Sequence, residues 1–163
     1  MSLQARLRVL EPTETWPSLY NAARERFWDG VDLATSLEAR RTGAIYLLGY
    51  VAEMLLKVAF YRRMGYLATD RVDRNAIKNH AAWGRWNLHS ISGLVDLLIE
   101  VRQRQHQAFD PVFAGDLRLR VQTVALHWQE TLRYKHTPAD EAELTEVFRH
   151  VDWLLTNADQ LWS

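Results

Sequence analysis

The sequence contains no cysteine, and this absence excludes several kinds of chemistry at once. Without thiols there is no disulfide, no thiolate nucleophile and no cysteine-ligated zinc site. The absence is also compatible with a reducing compartment. The N-terminal residues MSLQARLRVLEPTE lack the long apolar core and the small-residue cleavage site of a secretory signal. We therefore expect a soluble protein of the cytoplasm.

An excess of charge of either sign is missing as well. The 20 Lys and Arg residues equal the 20 Asp and Glu residues, so the formal net charge is zero. No global field then draws the molecule to nucleic acid or to an acidic membrane. Any anion-binding site has to come from a local cluster of cations.

Residues that interrupt helices are few, with four prolines and seven glycines among 163 residues. Apolar residues recur at intervals of three and four, which is the periodicity of helices and not of strands. The length and the 48% hydrophobic content are those of one globular domain. No internal repeat, low-complexity tract or linker divides the chain. We predict an all-α bundle of about five helices, in a single domain of residues 1–163.

The first two predicted helices are bounded by proline and glycine. The first has Pro17 in its opening turn and ends near Gly30. The second runs from about Ser36 to a glycine cap at Gly65.

This second helix is apolar over most of its length. Between Ala44 and Tyr61 only Glu53 and Lys57 carry charge. Each charge near the centre of a membrane span would cost roughly 2.5–3.5 kcal/mol, so we interpret the segment as the central helix of a soluble bundle. The two charges stand at i and i+4 in the favourable order. They form either a polar pair within the bundle, which we favour, or part of the lining of a ligand pocket.

Residues 66–87 interrupt the helical pattern for longer than most helix connections, which run about 2–8 residues. Loops of this length often carry function. The segment contains Trp83 and Trp86 with Arg85 between them, a combination that suits base stacking. Large aromatic side chains more often fill cores or interfaces. The seven tryptophans therefore favour a homodimer interface.

Three further helices are predicted after this loop. The third begins near His89, the fourth has Asp116 as its N-cap, and the fifth has Thr137 as its N-cap with Pro138 in its first position. Their predicted core positions are Leu94, Leu97, Leu98 and Val101, then Leu117, Val121, Val124, Ala125 and Trp128, then Leu144, Val147, Phe148, Val151, Leu154 and Leu155.

The junction before the last helix holds the cluster Arg133, Tyr134, Lys135 and His136. Cationic side chains here meet the start of a helix, where backbone N–H groups also favour anions. Tyr134 is interpreted as a packing residue whose hydroxyl reaches polar surroundings. The cluster is either an anion- or phosphate-binding site or a solvated charged turn.

The central helix resembles a known family. The segment RRTGAIYLLGYVAEMLLKVAFYRRMG is similar to the second helix of HEPN domains, which carries the pattern A-x-Y-L-x-G-Y-x-x-E-x-x-L-K and a glycine turn. The matching residues are Ala44, Tyr46, Leu47, Gly49, Tyr50, Glu53, Leu56 and Lys57. NLHSISGLVDLL and LRYKHTPADEAE resemble the third helix and the Arg-Tyr junction of that family. The resemblance covers residues 36–157 in separate pieces.

This resemblance implies a compact helical bundle that usually dimerises. The family includes metal-independent ribonucleases, toxin partners of minimal nucleotidyltransferases, and non-catalytic proteins associated with nucleotides or RNA. In a ribonuclease of this kind, Arg133 would hold the phosphate and His136 would transfer the proton. The family's nuclease signature has four to six residues between the Arg and the His, whereas only two residues separate Arg133 from His136.

We therefore expect a non-catalytic HEPN-like protein that binds a nucleotide, RNA or a protein partner of the nucleotidyltransferase type. The binding residues would be the junction cluster, together with Glu53 and Lys57 if they line a pocket. The alternatives are a metal-independent, toxin-like endoribonuclease and an unrelated helical interaction protein.

A second match to the nuclease signature lies in RNAIKNH, where Arg74, Asn75 and His80 have the required spacing. It stands between the second and third predicted helices instead of beside the last. Chance explains so short a pattern in a chain with six histidines. Those histidines show no HxxxH or ExxH pairing on a predicted helix. We predict neither a metal nor a cofactor.

Overall fold

The structure is a computed structural model that describes residues 14–36, 40–84, 86–129, 132 and 138–163. Within these ranges the chain is all-helical, as predicted, and no strand occurs. The helices are α1 (Trp16–Thr35), α2 (Arg41–Arg63), α3 (Arg74–Lys78), α4 (Ile91–Arg104), α5 (Pro111–His127), α6 (Glu141–Thr156) and α7 (Ala158–Trp162). The short helices α3 and α7 add to the predicted set of longer ones.

Helix α1 begins as predicted but continues past its predicted end. The Thr15 hydroxyl accepts from the Ser18 N–H and the Ser18 hydroxyl accepts from the Thr15 N–H, which closes a capping box around the first turn that contains Pro17. Gly30, the predicted stop, is buried inside the helix. A Cβ there would lie 3.3 Å from Cγ of Leu48 on α2. This glycine therefore serves the close packing of α1 on α2.

Helix α2 forms the centre of the bundle and contacts α1, α4, α5, α6 and α7. Leu48, Val51 and Leu55 are fully buried along it. The helix begins at Arg41 and not at Ser36, because Ser36 is the C-cap of α1. Among the described helices, only α2 is long and apolar enough to cross a membrane. One such helix is weak evidence for a membrane span, because the core helix of a soluble protein has the same length and composition. Since 67% of its most apolar window is buried inside the protein, it has the character of a core helix.

The C-terminus of α2 follows the prediction. Gly65 has a φ of +83°, which only glycine adopts readily. The Gly65 N–H donates to the Arg62 carbonyl and the Tyr66 N–H donates to the Tyr61 carbonyl, so the helix ends in a Schellman motif.

Helix α5 begins earlier than predicted. Its N-cap is Asp110, whose Oδ1 accepts from the N–H groups of Val112 and Phe113. The predicted N-cap, Asp116, lies inside the helix. Pro111 opens the helix instead of interrupting it, because proline fits the first turn without loss of a hydrogen bond.

Helix α6 begins later than predicted. Asp140 and Glu143 form a capping box in which each side chain accepts from the other residue's N–H. Pro138 precedes the helix, and the predicted N-cap Thr137 lies outside the described residues. Asp140 takes the capping role because its reciprocal bonds satisfy two N–H donors.

The predicted apolar faces of α4, α5 and α6 are confirmed. Buried positions are Leu94, Leu97, Leu98, Val101, Leu117, Val121, Val124, Trp128, Leu144, Val147, Val151 and Leu154. The partly buried positions that pack against them are Ala125, Phe148 and Leu155.

Helix α7, which the sequence did not predict, returns to α1 and α2. The Arg62 guanidinium lies 4.6 Å from the Trp16 ring centre and 4.9 Å from that of Trp162. The Tyr20 ring meets Trp162 edge-on at 5.3 Å. These cation–π and aromatic contacts join the end of the chain to the start of α1.

Candidate functional site

A buried carboxylate lies in the middle of α2. The Glu53 side chain is only 5% exposed and forms an ion pair with Lys57, one turn further on. Nδ1 of His89 lies 3.1 Å from each carboxylate oxygen of Glu53. The predicted intrahelical pair is confirmed, and His89 joins it from another part of the chain.

This cluster is a coherent electrostatic unit. A buried carboxylate without cationic or hydrogen-bonding partners would be strongly destabilising. Because both oxygens of Glu53 approach Nδ1 of His89, the hydrogen-bond network assigns the proton to that nitrogen. The turn before α4 also fixes the backbone of His89, since its N–H donates to Oδ1 of Asn87 at 3.2 Å. The His89 side chain is 40% exposed and thus connects the buried charge with the surface.

His89 lines a pocket of about 330 Å³ between the start of α4 and the end of α5. The lining combines two amides, two hydroxyls and an imidazole with apolar groups: Asn87, His89, Ser90, Ile91, Ser92, Ala125, Trp128 and Gln129. Ligand pockets of about 300–1,000 Å³ with a few converging polar groups are typical of small-molecule sites. The arrangement therefore suits a small polar ligand.

Trp128 separates this pocket from α2. Its Nε1–H donates to the Tyr46 carbonyl at 3.0 Å, and its ring meets Tyr50 edge-on at 5.4 Å. The close approach depends on Gly49, where a Cβ would lie 2.0 Å from the indole. Tyr46 and Tyr50 contact each other edge-on at 4.9 Å, so these two rings are packing residues.

The junction cluster of Arg133, Tyr134, Lys135 and His136 lies outside the described residues. Its flanks are described. Gln129, on one side, lines the pocket, and the Ala139 N–H, on the other side, donates to Oγ1 of Thr42 on α2 at 2.9 Å. Leu132, Thr42 and Ala139 also line a smaller cavity of about 190 Å³.

In the second match to the nuclease signature, Arg74 and His80 contact different parts of the protein and do not form one site. Nη2 of Arg74 lies 3.1 Å from Oε1 of Glu14, on the wall of a wide cleft. The His80 ring meets Phe60 edge-on at 5.8 Å. Burial lowers the pKa of His80, and nearby Arg104 lowers it further. His80 is thus a packing residue.

The two tryptophans of the long loop differ in role. Trp83 is 3% exposed and belongs to the core, which is the common role of a large aromatic side chain. Trp86 is 52% exposed. A Cβ on Gly93 would lie 2.7 Å from Cγ of Trp86, so the indole packs against the backbone of α4. Arg85 lies outside the described residues.

The sequence did not reveal the pocket. Trp128 was predicted as a core residue only, and Ser92 and Gln129 carried no signal. Glycine inside two strongly helical segments, at Gly49 and Gly93, was the one available hint, because a helix-interior glycine often marks a close approach. A glycine in the sequence does not indicate which side chain packs against it.

Fold and site together define an all-helical bundle with a polar pocket beside a buried carboxylate. In the part of the chain that the structure describes, no group of three or more His, Asp or Glu side chains is arranged to hold a metal ion. Comparisons of this chain with known protein families, with curated proteins and with solved structures find no match.

Proposed function

We propose that the protein is a cytoplasmic HEPN-like bundle that binds RNA or a nucleotide without cleaving it efficiently. The observation that carries this proposal is the polar pocket between α4 and α5. Its last lining residue, Gln129, stands four positions before Arg133 in the sequence. A pocket for one nucleotide unit and a cationic junction would then be neighbours along the chain.

The groups around the pocket match the chemistry of a nucleotide. Amides such as Asn87 and Gln129 both donate and accept hydrogen bonds, as the edges of nucleobases do. Ser90 caps α4 by accepting from the Gly93 N–H at 3.1 Å, and a helix N-terminus favours a phosphate. The volume of about 330 Å³ accommodates one nucleotide and not a folded RNA.

Weak or absent cleavage follows from the junction sequence. Only two residues separate Arg133 from His136, in contrast to the longer interval in the nuclease signature of the family. Pro138 also disfavours a helical conformation at Thr137, so the sequence gives no reason to expect helical spacing of Arg133 and His136 across the junction.

A metal-independent ribonuclease is the second candidate, and the Glu53–His89 pair is the observation that favours it. A carboxylate that orients an imidazole at the wall of a pocket is a common arrangement for a general base. The proton would be taken from a ribose 2′-hydroxyl, with His89 in the role that the family resemblance implies for His136 in a ribonuclease.

The resemblance to HEPN proteins also implies a homodimer and a protein partner of the nucleotidyltransferase type. Exposed apolar side chains support an association surface, among them Val112 at 73% and Leu126 at 81% exposure. Both associations are proposals.

The proposed function predicts salt-sensitive binding of single-stranded RNA or of a nucleotide in the presence of EDTA. Arg133→Ala should weaken binding and reduce the slope of log K against log salt by about one phosphate contact. The matched control is Arg24→Ala, which removes the same charge from the exposed surface of α1 and should leave binding unchanged. Fluorescence anisotropy with labelled RNA at several salt concentrations measures both.

Two results would contradict this proposal. Cleavage of single-stranded RNA in EDTA that disappears in His89→Ala or His136→Ala would establish the ribonuclease. If neither RNA nor a nucleotide binds, the remaining reading is a helical protein that recognises another protein.

A further inference from the structure

Trp86 is an exposed aromatic side chain in a fixed position. A Cβ on Gly93 would lie 2.7 Å from its Cγ and 3.0 Å from its Cβ, and a Cβ on Gly84 would lie 3.5 Å from its Cδ1. The indole thus fits against the backbone at two glycines. Since 52% of the residue is exposed, the remaining surface is open to solvent. An aromatic surface that is already held in place loses little entropy when a ligand stacks on it.

Residues close in sequence to Trp86 and to its contact Gly93 line two different cavities. Ser92, the neighbour of Gly93 in α4, lines the pocket described above. Leu88, two residues after Trp86, lines a wide cleft of about 1190 Å³ together with Arg71, Arg74 and Lys78.

The lining of the cleft includes three cationic side chains and two carboxylates, those of Glu14 and Asp73. Arg74 is paired with Glu14 at 3.1 Å. Within the described ranges no ion pair engages Arg71 or Lys78, and both are exposed. In a molecule without net charge, such a local group is what attracts phosphates.

We propose that Trp86 is a stacking surface for a base of single-stranded RNA whose phosphates follow the cations of the cleft. The inference rests on the proposed RNA binding and extends it, because the RNA strand would continue from the pocket across Trp86 to Arg71 and Lys78. Stacking on an aromatic ring together with cationic contacts to the backbone is the usual way in which proteins hold single strands without reading their sequence.

Trp86→Ala tests the stacking, and Trp28→Ala is its control because Trp28 is a similarly exposed tryptophan on α1. Binding is measured with an oligoadenylate of about ten nucleotides, within the usual range of site sizes, and with an abasic strand of the same length. Loss of one stacked base should raise the Kd for oligoadenylate by about fivefold or more. Trp28→Ala should have no effect, Trp86→Phe should retain most of the affinity, and the abasic strand should not distinguish Trp86→Ala from the unmodified protein.

Gly93→Ala provides a second variant if Trp86→Ala fails to fold. This substitution keeps the indole but displaces it, because the new Cβ would overlap the indole. Alanine itself is well tolerated in a helix. A rise in Kd similar to that of Trp86→Ala supports the proposal.

The inference is overturned if Trp86→Ala, folded by circular dichroism, binds oligoadenylate as tightly as the unmodified protein. It is also overturned if that variant changes from dimer to monomer in light scattering while its RNA affinity is unchanged, because the indole is then a protein contact. These outcomes leave the proposed function intact. Failure of the unmodified protein to bind any RNA or nucleotide, by contrast, rejects both.

Discussion

At the scale of single residues, the partners of Glu53 determine whether α2 tolerates a charge. The residue is 4% exposed in an otherwise apolar helix. Lys57 and His89 face its carboxylate, and each compensates part of the cost of removing that charge from water.

Lys57→Met should therefore destabilise the fold by about 3 kcal/mol, as expected when a buried ion pair loses one member. The matched control is Arg104→Met. Arg104 pairs with Glu100 at the same i, i+4 spacing, but the two side chains are 55% and 42% exposed, so its loss should cost less than about 1 kcal/mol. Urea unfolding measures both values. Equal and small effects would mean that Glu53 is solvated.

At the scale of helices, two interior glycines have opposite roles. A Cβ on Gly49 in α2 would lie 2.0 Å from the Trp128 indole. A Cβ on Gly115 in α5 would meet nothing within 4 Å. The first glycine permits contact between helices, whereas the second only lowers the helix propensity of α5.

Gly49→Ala should destabilise the protein by about 3 kcal/mol, at the upper end of the cost of overpacking, because Trp128 must move and loses its bond to the Tyr46 carbonyl. Gly115→Ala should stabilise it by about 0.5–1 kcal/mol, since alanine is the better helix former. Thermal unfolding of the two variants should shift in opposite directions. Shifts of the same sign would show that the indole does not pack on Gly49.

At the scale of the whole molecule, one buried and one partly buried imidazole should make the fold sensitive to acid. His150 on α6 is buried, and its Nδ1 lies 3.4 Å from Nη1 of Arg120 on α5. Burial lowers the pKa of His150, Arg149 and Arg120 lower it further, and Glu146 opposes them. His80 has a lowered pKa as well, chiefly through burial.

Because a histidine in the unfolded chain has its ordinary pKa of about 6.5, the unfolded state takes up protons before the folded state does. The free energy of unfolding should be highest at neutral pH and fall as the pH drops from about 7 toward the lowered pKa values. His150→Gln should flatten this dependence in urea titrations at successive pH values, and His80→Gln should flatten it further. Curves parallel to that of the unmodified protein would contradict the prediction.

The sequence by itself determined the helical class, the central position of α2, its Schellman end at Gly65 and the apolar faces of α4, α5 and α6. All of these depend on periodicity and on capping interactions between residues less than two turns apart. For α5 the sequence predicted the wrong N-cap, Asp116 instead of Asp110, because a capping signal is local and weak.

Only the tertiary structure decided which side chains meet. His89 reaches Glu53 across 36 positions of the chain, and Trp128 reaches the Tyr46 carbonyl across 82. The same helix packing forms the pocket and leaves Trp86 exposed. It also explains the close contacts at Gly30, Gly49 and Gly93. The physical reason is that a local pattern specifies which face of a helix is buried, whereas the identity of the neighbour depends on how complete helices fit against one another.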